Sequence, residues 1–527
     1  MPFIPKHSVD YSLYLVTGRD LVPPGHDYYH TVEEAVKGGV TIVQIREKKC
    51  DTGEFIAVAQ KTKEICHRHG IPIIVNDRID VALAIGADGV HLGQTDMPVS
   101  IARSLLPEGS IIGVSCNTPG HSQKAREDGA DYIGIGAVWG TQTKQLTEPI
   151  IGVRGVGEVL DSGVEIKAVA IGGITTGNVS RTLHGSVSVH GKALEGVAVV
   201  SEIMASTTPQ QVARRLFEIV HGYKLAPRKH LQNPFRTPLD SSQNIVNAAA
   251  SLLSIIRKSS PLIHQITNNV VVNQSANATL ALGASPIMAT AAAEMQDLSQ
   301  VSGALLVNFG TIGDVEGMLE AGRCANATRK PIVFDPVAVG ATQHRRTIAN
   351  ELMNAWQATV IKGNAAEIGA LADSTEVQSR GVDSVGEGFA DPASMVKALA
   401  RKERCIVVMS GPVDYVSDGE TTVKLSNGHE LLGRITGSGC MLGTCIATFC
   451  AASNLLDTTD DPGPFRLVKG DMIIGAVGGI LALNAASEYA AVRQDVRGTG
   501  TFLPALIDEL YGMTPEKLVS NAKVELC

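Results

Sequence analysis

"IPIIVNDRIDVALAIGADGVHLGQ", residues 71–94, holds two β-branched runs with a helical pattern between them. Ile71–Asp77 is the first run, "RIDVALAIGA" has apolar residues at helical spacing, and Asp88–Gln94 is the second run. Strand, helix, strand in so short a stretch reads as a parallel pair joined by a crossover. The same alternation extends both ways. "YSLYLVTG" (11–18) and "TIVQIREK" (41–48) precede it; "SIIGVSC" (110–116), "YIGIGAV" (132–138), "KAVAIGGI" (167–174) and "GVAVVSEI" (196–203) follow. Eight strands alternating with helices argue for a closed (β/α)8 TIM barrel over residues 1–224. The alternative, an open doubly wound sheet, usually has fewer strands.

Polar residues gather at one end of these runs. Gln44, Arg46 and Lys48 end the second, and Asn76 and Asp77 the third. Asp96 follows the fourth, Ser115 ends the fifth, and Gly172 and Gly173 end the seventh. In a barrel these ends share one mouth. Strands entering loops explain one or two such residues, but not two cations with two acids. Gln44, Arg46 and Lys48 alternate, which puts them on one strand face and suits a diphosphate; a solvated strand end fits an isolated QxRxK equally well. Asp77 and Asp96, from adjacent strands, suit a Mg²⁺ that also takes phosphate oxygens. The bland reading of Asp77 is a helix N-cap. "TQTK" (141–144) offers hydroxyls and an ammonium, and the seventh and eighth loops offer backbone N–H groups to a second phosphate.

The remaining chain is expected to form a second domain. Three prolines and a basic cluster in "YKLAPRKHLQNPFRTPLDSSQ" mark a linker at 225–243, before a domain at 244–527. That domain alternates as well, through "ALLVNFG" (304–310), "PIVFDPVA" (331–338), "TVIKGN" (359–364) and "CIVVMSG" (405–411). No GxxxxGK[ST] occurs, so it is not a P-loop enzyme. Instead "TGSGC" (436–440) opens an apolar run, and a helix starting there would present an anion hole. A glycine-rich start for close packing fits that motif alone equally well. "KGNAAEIG" (362–369) puts Asn364 and Glu367 on one helical face, and Asp335 ends a strand. These acids suit Mg²⁺, directly or through water, with Lys362 neutralising phosphate. An ordinary surface pair is the alternative for Lys362 and Glu367.

Composition narrows the field. The net charge of −8 and the lack of a long basic run argue against nucleic-acid and anionic-membrane partners. The 9 cysteines are scattered and read as free thiols of a reducing compartment. "MPFIPKHSVDYS" carries no secretion signal, so a cytoplasmic location is expected. The apolar stretches 440–456 and 472–486 fall short of a membrane span of ~20 residues and read as buried helices. "CHRHG" (66–70) has metal-ligand residue types but sits at a helix end, where histidines are ordinary.

Two resemblances complete the reading. "QIREK", "VNDRIDVALAIGADGVHLGQTD", "GVS", "TQTK", "VAIGGIT" and "GVAVVS" resemble thiamine phosphate synthase, in order, across 10–220. That family joins hydroxymethylpyrimidine diphosphate to a thiazole phosphate and releases diphosphate. The resemblance implies that Gln44, Arg46, Lys48 and Asn76 bind the pyrimidine diphosphate and that Asp77 and Asp96 hold Mg²⁺. It gives Ser115 and Lys144 to the departing diphosphate, and Thr141, Thr143, Gly173, Val200 and Ser201 to the thiazole phosphate. The stretch 180–196 is longer than the family's usual connection. In the second half, "ITNNVVVNQSANATLALGASPIMA" (266–289), "VNFGT", "DPVAVGAT", "IKGNAAEI" and "TGSGCMLG" resemble the ribokinase-like superfamily, and within it hydroxyethylthiazole kinase. This implies that Met288 and Gly437 contact the thiazole alcohol, that Lys362 and Ser410 contact ATP, and that Asp335 and Glu367 lie near Mg²⁺. Relatives often carry arginine where this chain has Lys362. Cys440 stands where sugar kinases carry an aspartate base, and the helix N-terminus is expected to lower its thiol pKa. The polar segment 373–388 reads as a lid over ATP or as a surface loop. Together the halves imply a fused enzyme whose kinase makes the synthase's substrate, with small molecules as partners and a homo-oligomer as the expected assembly.

Overall fold

A computed structural model of the chain describes residues 5–141, 143, 148–162, 165–188, 190, 192–225, 241–374, 378–380, 383–385, 388–458 and 467–527. These residues form two compact units, one on each side of 226–240. Most of the expected linker therefore lies outside the described residues. On its flanks, Leu225 ends the helix Pro209–Leu225, and Ser241 caps the helix Ser242–Ser259 by accepting from Asn244 N at 3.2 Å.

The first unit is a closed barrel of eight strands. They are β1 (Leu13–Val16), β2 (Ile42–Ile45), β3 (Ile73–Asn76), β4 (Gly89–Leu92), β5 (Ile111–Cys116), β6 (Tyr132–Ile135), β7 (Lys167–Ile171) and β8 (Gly196–Val199). Each pairs in parallel with the next, and β8 returns to β1 through Tyr14↔Ala198 and its neighbours, which excludes the open sheet. The side-chain period of two sorts the residues. Tyr14, Ile42, Ile74, Ile111, Tyr132, Val169 and Ala198 fill the interior. Leu13, Leu15, Val43, Ile45, Ile73 and Val75 pack outward in the core shared with the helices. Counting two residues on from the interior layer puts Gln44 and Asn76 inside, nearer the mouth. One extent differs from the sequence reading: β2 stops at Ile45, so only Gln44 of the QxRxK set lies on the strand. Arg46 is still tied to β1 by its N–H, which donates to Thr17 Oγ1 at 3.2 Å.

The second unit is built on a nine-stranded sheet. Its strands are β9 (Leu262–Ile266), β10 (Ser285–Ile287), β11 (Ala304–Asn308), β12 (Ile332–Asp335), β13 (Val360–Asn364), β16 (Ile406–Ser410), β17 (Asp414–Ser417), β18 (Thr422–Leu425) and β19 (Val524–Leu526). The order is β10-β9-β11-β12-β13-β16-β17-β18-β19, parallel through β16 and antiparallel beyond. A separate hairpin, β14 (Gln378–Arg380) with β15 (Asp383–Val385), occupies the segment read as a lid or loop, part of which lies outside the described residues.

Helices cover both faces of this sheet. Leu306, Val333, Val360 and Val408 face the core that holds the helices Ser438–Leu456 and Met472–Ala491. Leu305, Val307, Phe334 and Ile361 face the opposite core. The two apolar helices run to 19 and 20 residues, long enough to cross a membrane, which corrects the expectation that they fall short. Their apolar windows are 78% and 89% buried, so packing accounts for their composition. They pack closely because Gly479 has no Cβ: one added there would lie 2.5 Å from Ile446 Cα.

Candidate active sites

The barrel mouth gathers its charged residues as the strand ends require. Gln44 and Asn76 are buried at the ends of β2 and β3. Asp77 follows β3 with φ 62°, a left-handed conformation that aspartate tolerates better than most residues. It is not a cap: the next helix, Ile79–Ile85, has Arg78 at its N-cap and no side-chain cap bond. Instead Asp77 Oδ2 pairs with Lys48 Nζ, and the Asp77 and Asp96 carboxyl groups hydrogen-bond each other. Asp96 Oδ2 also accepts from Gly93 N at 2.7 Å. Burial acts to raise the Asp77 pKa, but the bonds to Asp96 and Lys48 and the charges of Lys48 and Arg46 hold it below the usual range. Burial and the neighbouring Asp77 push the Asp96 carboxyl up.

The rest of the mouth comes from later loops. Ser115, on β5, is 3.0 Å from His91 Nε2. Thr143 N donates to Thr141 Oγ1 at 3.2 Å. Lys144 lies outside the described residues. Gly173 has φ 61°, and a Cβ there would overlap Gly140 O, so the motif lets the seventh loop press onto the sixth. Val200 and Ser201 begin the short helix Ser201–Met204. Glu202 Oε1 ties this loop to the seventh by accepting from Thr176 N and Thr176 Oγ1, both at 2.7 Å. The long 180–196 connection contains the helix Val179–Gly185 and an isolated bridge, Val187↔Ala193, and β8 forms regardless.

In the second unit the strand period again selects the site. Asn308, Asp335, Lys362 and Ser410 each stand two residues after Leu306, Val333, Val360 and Val408, on the face toward the helix Ser438–Leu456. Lys362 Nζ lies 3.3 Å from Asp335 Oδ1, and both residues are buried, which overturns the surface-pair reading. Asn308 Nδ2 donates to Asp335 Oδ2 at 2.8 Å. Asn268 Nδ2 donates to Asn308 Oδ1 at 2.9 Å and to Cys440 Sγ at 3.5 Å. Glu367 is held differently. Asn364 and Glu367 form a capping box, with Asn364 N donating to Glu367 Oε2 at 2.8 Å, and Ala338 N donates to Glu367 Oε1 at 2.7 Å.

Cys440 is the third residue of the helix Ser438–Leu456, whose N-cap, Gly437, has φ 81°. A Cβ on Gly437 would overlap Val271, and one on Gly439 would lie 3.2 Å from Lys362 Nζ, so the bare turn brings backbone N–H groups beside an ammonium. The expected lowering of the thiol pKa does not occur. Burial and the charge of Asp335 push Cys440 up, outweighing Lys362 and the bonds from Asn308 and Asn268. Lys362 stays charged: burial opposes this, but Asp335, Glu367 and Cys440 together raise its pKa. Ser410 Oγ donates to Gly363 O at 3.3 Å, and the loop carrying Met288 is fixed by His264 Nε2, 2.9 Å from Ala289 O.

Comparison with known proteins decides what these sites belong to. The thiamine monophosphate synthase family model matches residues 13–203, and the hydroxyethylthiazole kinase family model matches residues 253–516. A probable thiamine biosynthetic bifunctional enzyme of Schizosaccharomyces pombe is 38% identical over 527 residues, covering 98% of this chain and 97% of that protein. The thiamine biosynthetic bifunctional enzyme of Saccharomyces cerevisiae is 37% identical, covering 98% of this chain and 99% of its own. This chain belongs to the thiamine biosynthetic bifunctional enzymes. A hydroxyethylthiazole kinase of Listeria monocytogenes, 40% identical, spans 52% of the bifunctional enzyme and 96% of its own length. The barrel is thus the thiamine-phosphate synthase, and the nine-stranded unit is the hydroxyethylthiazole kinase, with ATP as phosphoryl donor.

Several polar residues around these clusters escaped the sequence reading. Tyr14, His91 and Tyr132 sit inside apolar strand runs, where their polar atoms give no signal. Arg345 was equally silent: its Nη1 donates to Phe309 O and Val337 O, both at 2.9 Å, and its Nη2 to Gly310 O at 2.8 Å, clamping two site loops. Asp414, buried and pushed up to about 6 by burial, accepts from Gly411 N at 3.0 Å and Asn484 Nδ2 at 2.7 Å. His67, from the CHRHG stretch, pairs with Asp88 at 2.8 Å, an ordinary structural contact.

Among the described residues, no three His, Cys, Asp or Glu side chains converge as a metal cage. A pair suffices for Mg²⁺, which takes one or two carboxylates and completes its shell with water and phosphate. The half-buried Asp77 and Asp96 fit that description. At the kinase site every oxygen of Asp335 and Glu367 already accepts from a protein donor, which suits Mg²⁺ held through water.

Proposed function

We propose that the bifunctional enzyme uses these two clusters in sequence, first phosphorylating hydroxyethylthiazole and then condensing the product with hydroxymethylpyrimidine diphosphate. For the kinase step, Met288 and Gly437 border the thiazole alcohol, and Lys362 and Ser410 meet ATP. Asp335 and Glu367 would hold Mg²⁺, which when bound supplies charge neutralisation for the phosphates, and Cys440 accepts the alcohol's proton. The raised thiol makes Cys440 a reluctant base, which a loose phosphoryl-transfer transition state tolerates. Lys362, on β13 beside the first turn of the helix that carries Cys440, supplies charge stabilisation that requires no reorganisation.

For the condensation, Gln44, Arg46, Lys48 and Asn76 hold the pyrimidine diphosphate. Asp77 and Asp96 would hold Mg²⁺, which when bound stabilises charge on the leaving diphosphate. Ser115 and Lys144 receive that diphosphate. Thr141, Thr143, Gly173, Val200 and Ser201 cradle the thiazole phosphate while its ring nitrogen attacks. The convergence of Lys48, Asp77 and Asp96 is the observation that carries this reading. The test supplies purified protein with hydroxyethylthiazole, ATP, Mg²⁺ and the pyrimidine diphosphate; thiamine phosphate is expected only when all four are present. Product formed without ATP would refute the order of steps. A homo-oligomer is part of the proposal. Exposed Leu83, Ile101 and Leu105 on barrel helices support it, and light scattering reads it directly.

The Cys440 assignment makes its own prediction. A base whose pKa lies above the usual thiol range gains thiolate as pH rises, so kinase kcat climbs on the alkaline side. Cys440→Ala lowers kcat about tenfold and flattens that limb. Full loss of turnover, or an unchanged limb, would show that the thiol does something else.

A further inference from the structure

Gln44 on β2 and Ser115 on β5 are joined through the barrel interior by three side chains. Gln44 Nε2 donates to Tyr14 Oη at 2.9 Å, and Tyr14 Oη lies 2.7 Å from Tyr132 Oη. Tyr132 Oη lies 2.9 Å from His91 Nδ1, and His91 Nε2 lies 3.0 Å from Ser115 Oγ. Gln44, Tyr14, His91 and Tyr132 are all buried, and Ser115 opens toward the mouth.

The first member fixes the sense of the chain. An amide nitrogen only donates, so the Tyr14 oxygen accepts from Gln44, and the sense that gives every phenol hydrogen an acceptor in this series has Tyr14 donate to Tyr132. Tyr132 passes its hydrogen to His91 Nδ1. With Nδ1 as the acceptor, the imidazole hydrogen lies on Nε2, facing Ser115 Oγ. Ser115 accepts, and none of these four partner side chains takes its hydroxyl hydrogen, which is left to a group at the mouth. The opposite sense would aim two donors at Tyr14 and leave its hydrogen without an acceptor among these groups, at a cost for so buried a hydroxyl.

We propose that Tyr14, Tyr132 and His91 are positioning residues of the synthase: they orient the Ser115 hydroxyl so that its hydrogen points at the leaving diphosphate. This rests on the assignment of Ser115 given above and adds the groups that set its direction. The gain is a donor aligned before the reaction begins. Burial raises the Tyr14 and Tyr132 phenols far above their usual range, which keeps both hydroxyls protonated.

The surrounding sequence is cleared for these rings. A Cβ on Gly113 would overlap the Tyr132 ring, and one on Gly134 would lie 3.3 Å from His91 Cε1. Tyr11 closes the other side, its ring centroid 4.8 Å from that of Tyr132.

If these groups merely satisfied one another, substitutions would lower stability without acting through Ser115. Tyr132→Phe keeps the ring and removes the link. Diphosphate release is expected to fall about five- to tenfold in kcat, with KM for the pyrimidine diphosphate within about twofold and kinase activity unchanged. In a Ser115→Ala background, Tyr132→Phe is expected to cause no further loss. Equal losses in both backgrounds, or no loss in the wild-type background, would overturn the relay and leave the Ser115 assignment standing. Full condensation by Ser115→Ala alone would overturn that assignment and the relay with it. His91→Gln, whose amide can still donate to Ser115, is expected to exceed His91→Leu in condensation, and equality of the two would likewise overturn the relay. That pair decides the matter if Tyr132→Phe does not fold.

Discussion

Asp77→Asn is expected to lower condensation kcat/KM about 10²–10³-fold while the kinase in the same molecule runs at its normal rate. Asparagine is the informative substitution because it shares aspartate's tolerance of the left-handed region, so the backbone at φ 62° is preserved. What disappears is the charge. Lys48 loses the partner it now contacts, Arg46 loses the carboxylate that its charge stabilises, and Asp96 loses the neighbour that raises its pKa. The change in fold stability should be small, because Lys48 is 49% exposed and such pairs contribute at most about 1 kcal/mol. Diphosphate release measured with thiazole phosphate supplied reads the condensation, and ATP-dependent phosphorylation of hydroxyethylthiazole is the internal control. Parallel loss of both activities would refute the assignment of this cluster to one reaction.

The barrel was legible because its rule is simple. A β-branched run returning eight times with helices between leaves few topologies, and a common rim follows from any closed parallel barrel. Charged residues at that rim can therefore be grouped from sequence alone, as Lys48, Asp77 and Asp96 were. Burial and direction were not legible. Lys362 and Glu367 carry the same charges in a surface pair as in a buried site, and only the sheet's inward face distinguishes them. The Cys440 thiol was misread for a related reason. A helix N-terminus lowers a pKa through a fixed partial charge, whereas desolvation depends on everything packed around the group. Tyr14, His91 and Tyr132 drew no reading from their strand runs, since period-two patterning records which way a side chain points and not what its polar tip meets.

Lys362→Met should have the largest effect on the second unit: a loss of about 3–5 kcal/mol in stability together with the kinase activity. Methionine replaces much of the apolar stem, so little packing is lost. The ammonium, however, is the counter-charge to Asp335 and Glu367, which are 0% and 5% exposed. Removing one partner of a buried pair costs more than the pair contributes, because the remaining carboxylates stay desolvated and unpaired. Asp335→Asn added to Lys362→Met should therefore restore part of the stability and none of the turnover. Urea unfolding reads the first quantity, and phosphorylation of hydroxyethylthiazole reads the second. Condensation of supplied thiazole phosphate by the barrel should survive at denaturant concentrations below the second unit's transition. Lys362→Arg separates charge from shape. It keeps the cation but must place a planar guanidinium against Gly439, which approaches so closely that even a Cβ there would lie 3.2 Å from the ammonium. It should recover most of the stability and a smaller share of the rate. If Lys362→Met kept full kinase turnover, the anion hole would have to work without its cation, and the assignment of phosphate neutralisation to Lys362 would fail.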